Sequence, residues 1–252
     1  MKSQDPNQEH LQSIINLYTE GQLQQALSES SQMLERFPNS VILYNIAGAS
    51  NAALMQFDAA IESYKQALRI KPDYADAYYN MGVALNDKGD PEAAIESYKQ
   101  ALRIKPDYAK AYNNMGVALN DKGDPEAAIE SYKQALRINP DYADAYNNMG
   151  SALKDKGDLE EAIDNYKQAL RIKPDYAEGH SNLGAALQLL NQTEPALASY
   201  EKAISLKKDL NTAISGLGMA LLKKGEHSEG LDKLRQGDGS ILFNIKSGLS
   251  IK

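Results

Sequence analysis

The 252-residue chain contains no cysteine, no tryptophan and only three phenylalanines. Without cysteine there are no disulfides, no thiolate-bound metals and no cysteine nucleophile. No apolar run approaches the eighteen or so residues a membrane-spanning helix needs, so no membrane partner is expected. The first ten residues, MKSQDPNQEH, are polar and carry no signal-peptide core, which sets a cytoplasmic expectation. Positive charge is also short. A formal net charge of -7 opposes nucleic-acid binding, which calls for a concentrated basic face. Against these shortages stand 15 tyrosines, a skew expected of a copied unit that contains tyrosine.

The copying is literal. MGVALNDKGDPEAAIESYKQALRI runs from Met81 to Ile104 and again, unchanged, from Met115 to Ile138. At a period of 34, residues 75–108 and 109–142 differ only at Lys110, Asn113 and Asn139. The same frame extends to 143–176 and 177–210, and upstream to 41–74, with weaker units at 7–40 and 211–244. Residues 1–6 form an N-terminal extension and 245–252 a tail. A period of this length signals stacked supersecondary units forming one solenoid.

Within a unit the apolar residues recur at helical steps. One stripe is Ala77, Tyr78, Met81, Ala84 and Leu85, and the next is Ala94, Ile95, Tyr98, Ala101 and Leu102. Between them, Gly89 supplies a left-handed helix end, Asp90 an N-cap and Pro91 a first helical residue. Lys105-Pro106-Asp107 closes the second helix. Each unit is therefore an antiparallel helix pair that buries its stripes only against neighbouring units.

The recurring positions carry a family resemblance. Glycine at position 8 (Gly48, Gly82, Gly116, Gly150, Gly184, Gly218), alanine at position 20 (Ala60, Ala94, Ala128, Ala162), tyrosine at position 24 (Tyr64, Tyr98, Tyr132, Tyr166, Tyr200) and proline at position 32 (Pro72, Pro106, Pro140, Pro174) resemble the tetratricopeptide repeat (TPR) family. The resemblance implies an all-α, right-handed superhelical solenoid of about seven helix-turn-helix units over residues 7–244. The end units depart from it: Ile14 and Ser30 replace glycine and tyrosine, and Gly230 and Gly237 replace the alanines that the family carries at positions 20 and 27. Gly230 is expected to weaken the final helix. From Gly237 onward helix is no longer expected; Gly237-Asp238-Gly239 reads as a turn, and alternation at Ile241, Phe243 and Ile245, then Leu249 and Ile251, suggests a small β-hairpin turning at Lys246-Ser247-Gly248.

In that family the first helices line a concave groove through positions 2, 5, 6, 9, 12 and 13. Transferred here, the third unit offers Asp76, Tyr79, Asn80, Val83, Asn86 and Asp87. The fourth offers Lys110, Asn113, Asn114, Val117, Asn120 and Asp121, and the fifth Asp144, Asn147, Asn148, Ser151, Lys154 and Asp155. The sixth offers Glu178, Ser181, Asn182, Ala185, Gln188 and Leu189. Asn80, Asn114, Asn148 and Asn182 form a file similar to the asparagine-lined superhelix of the O-linked N-acetylglucosamine transferases. A carboxamide can donate to and accept from a peptide backbone of any sequence; duplication alone would also repeat it. Asp87, Asp121 and Asp155 would favour a neutral or basic ligand, unless the neighbouring Lys88, Lys122 and Lys156 offset them. Tyr79, Asn113, Asn147 and Ser181 hold position 5, so the Lys/Arg/Asn clamp with which chaperone-adaptor members grip a terminal carboxylate is absent.

No cofactor or metal is expected, since His10, His180 and His227 lie in different units and no buried acid pair is apparent. The expected function is a non-catalytic scaffold holding an extended peptide. Two alternatives stand beside it: the recognition arm of a larger enzyme continuing past Lys252, and self-assembly into a homo-oligomer through the C-terminal end.

Overall fold

The computed structural model describes residues 5–238, 241–244 and 248–251. The chain divides into two compact units, Met1–Ser131 and Tyr132–Lys252. The first holds α1 (Gln8–Thr19), α2 (Leu23–Arg36), α3 (Val41–Ala53), α4 (Phe57–Ile70), α5 (Ala75–Lys88), α6 (Pro91–Ile104) and α7 (Ala109–Asp121). The division falls within α8 (Pro125–Ile138). The second unit continues with α9 (Ala143–Lys156), α10 (Leu159–Ile172), α11 (Ala177–Leu189), α12 (Thr193–Leu206), α13 (Asn211–Lys224) and α14 (His227–Asp238). The fold is all-α, with one two-stranded appendage after α14. No helix among the described residues is long and apolar enough to cross a membrane.

The helix boundaries follow the local chemistry. Asp90 accepts a hydrogen bond from the Ala93 amide at 3.1 Å, and Pro91 opens α6. Every inter-helix turn within a repeat passes through a left-handed residue at position 15. Glycine serves at Gly21, Gly89, Gly123, Gly157 and Gly225, while Met55 (φ 59°) and Asn191 (φ 61°) adopt the same conformation without being glycine. Asparagine tolerates it; a long unbranched side chain pays for its Cβ.

The hairpins of the second, third, fifth and sixth repeats close on a glycine–tyrosine contact. A Cβ at Gly82 would lie 2.6 Å from the Tyr98 ring, one at Gly48 2.6 Å from Tyr64, and one at Gly150 2.8 Å from Tyr166. Only a bare backbone lets those rings fill the crevice between the paired helices, where Tyr64, Tyr98 and Tyr166 are at most 2% exposed. Ala26, Ala60, Ala94, Ala162 and Ala196 are fully buried at position 20.

The atypical end repeats solve the same packing problem with other residues. In the first, large and small exchange places: Ile14 stands at the glycine position and Ser30 at the tyrosine position, and both are buried. Of the apolar residues at groove positions of the first two repeats, Leu11, Ile15 and Ile46 pack into a core with Ile14, Ala26 and Leu43, joining the two repeats, whereas Ile42 stays 39% exposed.

In the last repeat, the expectation that Gly230 merely weakens its helix is corrected. A Cβ on Gly230 would lie 2.9 Å from the Gly218 carbonyl oxygen, and one on Gly218 equally close to that of Gly230. The two backbones touch, so both glycines are needed for the crossing, and α14 gains close packing in exchange for helix propensity. The turn expected at Gly237-Asp238 is also corrected. The helix runs through Asp238, with Gly237 seated so closely against Ser215 on α13 that a Cβ would collide with Ser215 Oγ. Beyond it, β1 (Ile241–Asn244) pairs antiparallel with β2 (Gly248–Ile251), Ile241 opposite Ile251. Lys246 and Ser247 of the expected turn lie outside the described residues.

Candidate functional site

The file of asparagines occupies α5, α7, α9 and α11, one per repeat, each half-buried. Its amides are not simply directed at solvent. In the first unit, Asn80 Nδ2 donates to Asn45 Oδ1 on the preceding repeat at 3.1 Å, and Asn114 Nδ2 donates to the Tyr79 hydroxyl at 3.1 Å. In the second unit Asn182 Nδ2 donates to Asn147 Oδ1 at 3.0 Å. In these three cases position 6 of one repeat bonds position 5 of the repeat before it, so Asn80, Asn114 and Asn182 act as rungs between stacked hairpins. Each primary amide has a second N–H and a carbonyl, although Asn114 Oδ1 already accepts from Asn113 Nδ2.

Position 5 is correspondingly sequestered. Asn113 and Asn147 are buried, 4% and 6% exposed. Tyr79 is half-buried, its ring tilted against those of Tyr108 at 5.0 Å and Tyr98 at 6.0 Å between centroids. Desolvation raises its phenol pKa, partly offset by the hydrogen bond from Asn114. Tyr79 and Asn147 serve the inter-repeat contact first. Sequence reasoning overlooked this function, and Asn45 with it, although the Asn-Asn pairs at 113–114 and 147–148 were the available signal.

Asp87, Asp121, Asp155 and Lys110 are exposed. The nearby lysines are engaged elsewhere: Lys88 pairs with Asp58 at 2.6 Å, Lys122 with Glu92 at 3.6 Å and Lys156 with Asp158 at 2.7 Å. Asp155 has Lys154 at 3.6 Å. Asp87 and Asp121 belong to no ion pair among the described residues, so the first unit's acids keep their charge.

One cavity brings these groups together. Val83, Asn86 and Asp87 of α5, Asn114 and Val117 of α7 and the buried Tyr98 of α6 enclose about 160 Å³. All but Tyr98 are groove positions expected from the sequence. Two valines and the Tyr98 ring supply its apolar lining, one carboxylate and two carboxamides its polar lining, and the volume admits a single side chain.

Comparison with known proteins agrees with this architecture. A model described as TPR repeat matches residues 53–89, 84–123, 118–157 and 150–191, and one described as Tetratricopeptide repeat matches 177–210. A probable UDP-N-acetylglucosamine–peptide N-acetylglucosaminyltransferase, SEC, of Arabidopsis thaliana is 36% identical over 76 residues, which is 30% of this chain and 8% of that protein. The chain therefore spans only a small fraction of that relative. The crystal structure of MamA superposes with a TM-score of 0.56 at 29% identity, covering 62% of this chain and 92% of MamA. That of YrrB, described as a TPR protein with an unusual peptide-binding site, gives 0.58 at 23% identity over 73% of this chain and 95% of YrrB. Periodicity, hairpin packing and these matches together make the chain a member of the tetratricopeptide repeat family.

Proposed function

We propose that the chain is a non-catalytic interaction scaffold whose first-helix groove holds an extended peptide segment, neutral to basic in character. TPR proteins are generally protein-interaction scaffolds, and YrrB, similar in fold, is described as having a peptide-binding site. The observation that carries the reading is the socket at Val83, Asn86, Asp87, Tyr98, Asn114 and Val117. An uncompensated carboxylate over apolar walls suits the stem and charge of a lysine or arginine side chain. The asparagine rungs would contribute by fixing the remaining amide groups in place before a backbone arrives, which lowers the ordering cost of binding.

The test is affinity capture from lysate of the source organism, comparing the wild-type chain with Asp87→Asn/Asp121→Asn. Because both acids are exposed and outside ion pairs, the variant should melt like wild type while losing its captured proteins. Unchanged capture would refute the reading. A second reading, that the chain is the recognition arm of a larger transferase, has the 76-residue match to the Arabidopsis protein in its favour. Sequencing the gene on both sides of these residues tests it.

A further inference from the structure

The second unit carries a pocket of different chemistry at the same repeat positions. Position 13 is aspartate in the third, fourth and fifth repeats, but Leu189 in the sixth and Lys223 in the seventh. Leu189 is 58% exposed, one of the few large apolar side chains open to solvent. With Lys154, Ala185, Gln188 and Tyr200 these residues surround about 470 Å³. That is roughly the space of two or three side chains.

The polar groups around it are held in place. The Tyr200 hydroxyl donates to Gln188 Oε1 at 2.9 Å, which orients the amide and leaves its N–H donors to other partners. The Tyr200 ring lies so close to Gly216 that a Cβ there would collide with it. Gly216 stands in the register of the asparagine file, so the file ends where this pocket begins. Lys223 Nζ donates to the Asn191 side-chain oxygen in the left-handed turn, a neutral partner that orients the ammonium without cancelling it. Lys154 is more enclosed, its side chain 28% exposed, with only a 3.6 Å contact to Asp155.

From this geometry we infer that the second unit binds an acidic, apolar-flanked peptide segment of a partner protein, a carboxylate engaging Lys154 and Lys223 while a neighbouring aliphatic side chain rests on Leu189 and Ala185. The preference is opposite to that of the first-unit socket and does not depend on it. The argument for this occupant is charge complementarity at an exposed apolar floor. A chain of net charge -7 repels an acidic peptide at long range, so saturable binding of one requires a local site.

Fluorescence anisotropy on the full chain tests the inference with two labelled peptides, one repeating Glu-Leu-Ser four times and one repeating Lys-Leu-Ser four times. The acidic peptide is expected to bind saturably and to weaken about tenfold or more in Lys154→Glu/Lys223→Glu. Asp87→Asn/Asp121→Asn should leave that binding unchanged. Leu189→Ser, which alters no charge at a mostly exposed position, should weaken it as well, so a general charge effect is distinguished from a pocket. Circular dichroism confirms that each variant is folded. Absence of saturable binding, or equal affinity in the lysine variant, overturns the inference.

Discussion

Ser50 is a small polar group where the repeat wants none. It sits at position 10, occupied by buried alanine in Ala84, Ala118, Ala152, Ala186 and Ala220, and its hydroxyl is buried with no hydrogen-bond partner. Ser50→Ala should therefore stabilise the chain by about 1–2 kcal/mol, from relief of an unmet hydrogen bond and a better helix former. Thermal denaturation measures it, and a loss of stability would show that the oxygen is satisfied. Met55 is the complementary case, a long side chain in a left-handed turn and 75% exposed. Met55→Gly should gain about 1 kcal/mol, since no packing is given up and the Cβ strain is removed. Both residues lie in the second repeat, where the chain departs from the pattern its neighbours keep.

At the scale of the element, the helix pair was legible because its determinants are local. The Gly-Asp-Pro turn, the cap at Asp90 and the apolar stripes all lie within a few residues of what they control. What escaped sequence reasoning were contacts a full repeat away. Asn80 reaches Asn45 and Asn182 reaches Asn147, each 35 residues back, a pairing that helical periodicity within one unit does not reveal. The Ile14/Ser30 exchange was visible as two anomalies but not as one substitution of volume, and Gly218 and Gly230 looked like weakness until their backbones were seen to touch. The exchange is testable. Ile14→Gly should cost about 2–5 kcal/mol by opening a cavity, and adding Ser30→Tyr should recover most of it, as the inner repeats do. If the double variant is no more stable than the single one, the two positions do not share a space.

For the whole molecule, the repeated burial of tyrosine predicts how the fold fails in alkali. Burial pushes Tyr166 and Tyr200 up to about 12 and raises Tyr64 and Tyr98 further. A phenol whose pKa is raised by folding favours the native state fully at pH below its unfolded value of about 10, and that contribution is lost as pH climbs through the folded value. Stability should be level through neutral pH and decline from about 10 to 12, with phenolate absorbance appearing together with loss of helix. Titration of these tyrosines without unfolding would contradict it. The fold was thus readable almost throughout from a copied unit, whereas the site was readable only in position. Which groove residues stand outside ion pairs and which serve a neighbouring repeat depended on ion pairs and side-chain hydrogen bonds between adjacent repeats, as with Lys88 and Asp58.

The most direct test of peptide binding in the first-helix groove is selection of a random dodecapeptide library on the intact chain, repeated with Asp87→Asn/Asp121→Asn. The account predicts enriched peptides bearing lysine or arginine, whose affinity falls about tenfold in the variant while its melting temperature stays unchanged. Enrichment that ignores the variant, or no enrichment at all, would contradict it.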